Sequence, residues 1–205
     1  MIQPDFEAAR RYALQRLETE LDPRLTYHTI AHTRDDVLPA AERLAAHEGI
    51  TGADLLLLRT AALYHDIGFT VRREDHELAS IHIAEQVLPG FGYAPAQLDE
   101  ITTIILATRL PQSPRSQLAR FLADADLDLL GRADFFEFNR ALRAELAAFG
   151  RPMSDVEWYR NQLAFISRYH YWTNAARSLR GPGKAENTAR LQQLLTAALA
   201  GEPDD

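Results

Sequence analysis

Chemistry in this chain is most concentrated at His65 and Asp66, an imidazole and a carboxylate on consecutive residues at the end of a long apolar run from Leu55 to Tyr64. Burying both groups unpaired costs several kcal/mol, on the order of the usual penalty for stranded charge, so the pair demands a partner or a cation. A helix C-terminus favours a cation there as well. Two further histidines, His28 and His32, lie four residues apart, a spacing that puts both on one side of a helix or its entry turn. That is ligand spacing, and two unrelated histidines at an exposed helix start are the plain alternative. Asp35 and Asp36 follow His32 by about a turn, either as acceptors for its other ring nitrogen or as solvated charges.

A distant acid completes the set. Carboxylates recur at Asp124, Asp126 and Asp128. At about 100° per residue, Leu118, Phe121, Leu122, Ala125, Leu129 and Leu130 sweep out an apolar arc with Asp126 inside it, and Asp124 and Asp128 fall in the polar gap. An acid on the buried face needs a reason, so Asp126 is the one assigned to chemistry, and the other two are expected to be solvated. The same test places His76 beside Ile83 and Val87 on an inward face, as an extra ligand, a phosphate contact or a satisfied core histidine. His82 goes with Gln86 to a polar edge, His47 to a helix end, and His170, among aromatic residues, to packed core. Arg72, Arg73, Arg109, Arg115 and Lys184 are the basic candidates for holding a phosphate, though each such residue is more often a solvated charge.

The elements that must position these groups read as helices throughout, because no segment shows sustained β-branched alternation. The class is all-α, with helices expected near 5–20, 29–47, 52–67, 75–88, 95–108, 116–130, 133–148, 155–171 and 184–199. Thr51 with Asp54, and Ser154 with Glu157, read as N-terminal caps. Gly49, Gly68, Gly150 and Gly181 sit where helices should stop. Pro39 should kink the second helix or split it. Residues 90–95 and 110–115 read as loops, the second a candidate lid. No linker divides the 205 residues, so a single domain is expected.

With no cysteine, any metal must be held by His, Asp or Glu. The net charge of −7 argues against a nucleic-acid polymer as partner. Neither a signal peptide nor a membrane span is evident, so a cytoplasmic location with no membrane partner is expected.

His32, His65 with Asp66, and Asp126, in that order, resemble the signature of the HD-domain metal-dependent phosphohydrolase superfamily. The likeness extends through Tyr27 to His32, Leu63 to Phe69, His76 to Ser80 and Asp124 to Gly131, and is similar to an uncharacterised bacterial branch. It covers about residues 25–132, and more weakly Tyr169 to Thr173 and Lys184. The implied fold is a multi-helix bundle with the C-terminal helices, 133–200, packed on those core motifs. The resemblance implies that His32, His65, Asp66 and Asp126 ligate one divalent ion, that His28 gives a proton to the leaving oxygen, and that His76 matches a second-metal histidine. Many hydrolytic members carry Lys or Glu three residues beyond the pair, where this chain has Phe69, and two-metal members show His-Thr where it has Ala107 and Thr108. A mononuclear site follows.

Such a nitrogen and oxygen set suits Mn, Fe, Co, Ni, Zn or Mg. The expected activity is hydrolysis of a small phosphorylated substrate, a nucleotide phosphomonoester or phosphodiester, by attack of metal-bound water, with Asp66 and His28 as catalytic residues. Arg72, Arg73, Arg109 and Lys184 would hold the substrate. The alternative is a catalytically reduced HD domain, a metal-containing ligand-binding or regulatory module. A di-iron oxygenase would need histidines that only His76 begins to supply.

Overall fold

The computed structural model describes residues 3–201, all-α, with no strand among the described residues. Internal contacts group the chain into two units, Met1–Leu127 and Asp128–Asp205.

In the first unit, α1 (Phe6–Glu20) is capped by Asp5, whose carboxylate accepts from the Ala8 amide at 2.9 Å. A π-helical stretch, His32–Val37, runs directly into α2 (Leu38–His47). Pro39 explains the join. Its ring would clash with the carbonyl four residues back, and a wider turn accommodates it: the Leu38 amide reaches the Thr33 carbonyl, five residues back. The helix expected at 29–47 is therefore π-helical where it carries His32.

Helix α3 (Gly52–Tyr64) packs on α1, α2, α5 and α6. Its last five residues, Thr60 to Tyr64, are buried all round, and Tyr64 donates to the Ala9 carbonyl at 3.0 Å. Leu58 and Leu63 are fully buried, worth about 2 kcal/mol each in transfer free energy. Thr51 sits extended at the N-cap, but its side chain makes no cap bond. The helix ends before residue 67, because Asp66 leaves helical geometry (φ −106°, ψ 3°) and a 3-10 turn, Ile67–Thr70, follows.

Helix α4 (His76–Val87) packs against that turn and against α5 (Pro95–Leu106), and a 3-10 turn at Leu88–Phe91 links the two helices. Gly68 is no helix stop. A Cβ on it would lie 1.9 Å from the His76 carbonyl oxygen, so its absence lets the turn meet α4 backbone to backbone. Helix α6 (Gln117–Asp126) starts at Ser116, whose hydroxyl accepts from the Ala119 amide at 3.2 Å and donates to Glu100 at 2.9 Å. Small residues, Ala107, Ala119 and Ala123, bring α6 close to the end of α5.

In the second unit, a 3-10 turn at Asp128–Gly131 precedes α7 (Phe135–Ala148), α8 (Asp155–Arg168) and α9 (Asn174–Gly201). The cap expected at α8 forms: Ser154 and Glu157 bond reciprocally at 2.9 and 3.2 Å. Gly150 closes α7 at φ +81°, but Gly181 lies inside α9, which begins ten residues before the expected position 184. Pro182 makes that glycine useful, since a Cβ on the preceding residue would disfavour helical backbone. Arg180 holds the buried Asp128 by two bonds, 2.8 and 2.9 Å.

Among the described residues, no helix is long and apolar enough to cross a membrane.

Candidate metal centre

Four of the residues singled out for metal binding converge within the first unit. The end of α3 carries His65 and Asp66, the π-helical stretch carries His32, and the last residue of α6 is Asp126. His65 Nε2 lies 3.3 Å from Asp66 Oδ2 and 3.5 Å from Asp126 Oδ1. His32 Nε2 lies 3.7 and 3.4 Å from the same two oxygens. One ligand atom each from His32, His65 and Asp66 falls within 4.8 Å of the other two.

The His65 tautomer is set from behind. Nδ1 of His65 donates to the Ala62 carbonyl at 2.8 Å, so a neutral ring turns an Nε2 lone pair towards the carboxylates. The fit to a cation then rests on three orphaned atoms. His32 Nε2, His65 Nε2 and Asp66 Oδ2 are buried without a hydrogen-bond partner, a condition costly for neighbouring polar groups and normal for metal ligands.

Electrostatics point the same way. Burial disfavours a charged His65, yet Asp66 and Asp126 outweigh it and hold its pKa well above the ordinary histidine value. Asp66 is pushed up by burial and down more strongly by His65 and His76, ending well below the carboxylate range. Asp126, also opposed by burial, is drawn down by His32 and His65 to about 2. These carboxylates stay ionised at neutral pH and are ready ligands for a divalent ion.

His76 opens α4 at the edge of the cluster. Its Nδ1 bonds the Arg73 carbonyl at 3.1 Å, and its Nε2 faces Asp66 Oδ1 at 3.3 Å. Asp66 thus turns one oxygen to His32 and His65 and the other to His76. Burial opposes a charge on His76, but Asp66 and Glu77 raise its pKa. His28, half-buried in the entry turn, packs its ring 4.7 Å from Tyr27, 4.4 Å from Phe69 and 6.0 Å from His32, centroid to centroid. Phe69 stacks on His76 at 3.9 Å. The Phe69 ring therefore packs on both His28 and His76, whose own rings lie 6.3 Å apart.

Other candidates are placed differently. Arg72 is exposed and Arg73 half-buried. Arg109 is exposed and ion-paired with Asp75, Arg115 is exposed, and Lys184 lies on α9 in the second unit. Asp35 is exposed and paired with Arg34 at 2.8 Å. His82 and His47 are exposed as expected, but so is His170, which bonds the Arg168 carbonyl rather than entering a core.

Two further expectations fail. Asp124 is fully buried and Asp128 nearly so, rather than solvated. Asp124 is enclosed because α2, α3 and α5 all pack on α6, which leaves the helix no wide polar gap. Asp128 lies beyond the end of α6, so helical phase does not apply to it, and Arg180 neutralises it.

One residue of the site was not singled out by sequence. The Ser80 hydroxyl donates to the His65 carbonyl at 2.6 Å and accepts from the Gly68 amide at 2.8 Å, tying α4 to the turn that bears the histidine and aspartate. Its place four residues after His76 was the available signal.

Residues 29–128 match the family model described as HD domain. Among solved structures, the chain is similar to a predicted HD superfamily hydrolase from an uncultured Thermotogales bacterium. The two share 21% identity and a TM-score of 0.60, covering 96% of this chain and 92% of that one, which shows a common fold. No curated protein matches the chain. The domain match spans His32, His65, Asp66 and Asp126 and identifies residues 29–128 as an HD domain.

Proposed function

We propose that this protein is a metal-dependent hydrolase of a small phosphate ester, a nucleotide phosphomonoester or phosphodiester. The observation that carries the reading is the set of three buried, unpartnered atoms on His32, His65 and Asp66. With Asp126 they form a two-imidazole, two-carboxylate site for one divalent ion, Mn, Fe, Co, Ni, Zn or Mg. Such an ion supplies acidified water and polarises a phosphoryl oxygen.

The chain's own residues have separable roles. Asp66 and Asp126, held ionised, are ligands and orienting acceptors. Asp126, held ionised by His32 and His65, serves as an orienting acceptor. His76 fixes the Asp66 carboxylate through Oδ1, and is the contact for a second ion or the phosphate if either binds there. His28 is half-buried beside the cluster and donates a proton to the departing alkoxide. Arg72 and Arg73, just past the 3-10 turn, are phosphate contacts. Arg109 joins them only by leaving Asp75.

A second reading, a metal-containing ligand-binding module without turnover, is favoured by Phe69, whose buried ring stacks on His28 and His76. Metal analysis of untagged protein, then a screen of nucleoside mono-, di- and cyclic phosphates with Mn, separates the two. Bound metal with turnover lost in His28→Ala supports the hydrolase. Bound metal with no phosphate ester turned over supports the module, and absence of metal removes both.

A further inference from the structure

Helix α9 places Arg177, Gly181, Lys184 and Ala185 on one side, at i, i+4, i+7 and i+8. With His170 and Tyr171 from the α8 to α9 connection they line a cavity of about 370 Å³, lying wholly in the second unit and sized like a small-molecule site. Gly181 contributes no side chain, and a Cβ there would meet nothing within 4 Å, so that part of the wall is open.

The lining holds an arginine, a lysine and a histidine, and no carboxylate. Arg177 is fixed by neutral partners: the Tyr171 and Trp172 carbonyls at 2.8 and 3.0 Å and the Asn174 side chain at 2.7 Å. Its charge is positioned but not neutralised. Lys184 is half-buried, and its ammonium has no hydrogen bond or ion pair among the described residues. His170 uses Nδ1 on the Arg168 carbonyl, which leaves Nε2 for another partner. Gathering cationic groups in a concavity without a counter-charge is unfavourable, and an anion that meets them relieves it.

We infer that this cavity binds the phosphate group of a small molecule, with Lys184 and Arg177 as its charged contacts and His170 as a further hydrogen-bond partner. The inference does not rest on the hydrolase reading. Its test is calorimetric titration of inorganic phosphate into the full chain after metal stripping and dialysis. Saturable binding is expected, weakened about tenfold or more in Lys184→Gln and retained in Lys184→Arg. Ala185→Glu, at an exposed position, should weaken it similarly without affecting folding, and Asp126→Ala should leave it unchanged. No saturable binding by the parent chain, or unchanged affinity in folded Lys184→Gln and Ala185→Glu, would overturn the assignment. Loss of phosphate binding in Asp126→Ala would do so too, by placing the anion at the metal ligands.

Discussion

Replacing Gly68 with alanine adds one methyl group at the joint between the turn that follows His65 and Asp66 and α4. The new Cβ would stand 1.9 Å from the His76 carbonyl oxygen, 2.7 Å from the Ser80 amide nitrogen and 2.8 Å from the Ser80 hydroxyl. Ordinary contact is about 3.5 Å, so the turn or the first turn of α4 must move by more than about 1 Å. Two of the obstacles are backbone, and no side-chain rotation relieves them. Overpacking of this kind costs about 1 to 3 kcal/mol. The shift also stretches the buried bonds from Gly68 to Ser80 and from Ser80 to His65, at about 1 to 3 kcal/mol for each group left unsatisfied.

A total near 4 kcal/mol lowers the melting temperature by about 10 °C for a chain of this size. The displacement also moves His76, which opens α4, relative to Asp66, so metal affinity should fall even at temperatures where the variant is fully folded. Thermal melting followed by circular dichroism gives the first quantity, and competition with a chelating dye gives the second. Gly90→Ala is the control, since a Cβ there meets nothing within 4 Å, and it should shift the midpoint by less than about 2 °C. A Gly68→Ala protein that melts with the parent and binds metal equally would refute the close-approach argument.

The other predictions are shorter. Asp126→Ala should reduce metal content severalfold while circular dichroism stays that of the parent, and a full complement of metal would remove Asp126 from the ligand set. Metal affinity should fall as pH drops, because the ion must displace a proton that Asp66 and Asp126 hold on His65 above the ordinary histidine range. One displaced proton gives roughly a tenfold change per pH unit, measured by chelator competition, and a flat profile from pH 6 to 8 would contradict it. Arg180→Met removes the charge partner of the buried Asp128 carboxylate and should cost about 3 kcal/mol in unfolding free energy. Adding Asp128→Asn should recover much of that loss, and strict additivity of the two changes would argue against a coupled pair.

The fold was readable because its helices advertise themselves by period and cap, as α8 does through Ser154 and Glu157. Departures fall where one residue type has more than one structural use. Pro39 turns the helix start π-helical and leaves α2 intact, Gly68 serves a backbone crossing, and Gly181 allows a proline within α9. A single chain does not reveal such uses, since one glycine can serve a turn, a close approach or a pre-proline site.

Asp124, Asp126 and Asp128 carry the harder lesson. Helical phase assigned chemistry to Asp126 on the premise that it alone would be buried. In the structure it is the most exposed of the three, with 19% of its side-chain surface accessible, while Asp124 is fully enclosed. The assignment was reached by a premise that the burial pattern reverses. Asp126 meets the histidines because it is the last residue of the helix, where the chain turns away and one side chain can face the cluster and still reach solvent. For the proposed hydrolase, accessibility is what such a ligand would require, since a phosphate ester would approach the ion past it. Within this buried cluster of histidines and carboxylates, the informative sign at Asp126 is therefore partial exposure beside two orphaned imidazole nitrogens, rather than burial on an apolar face.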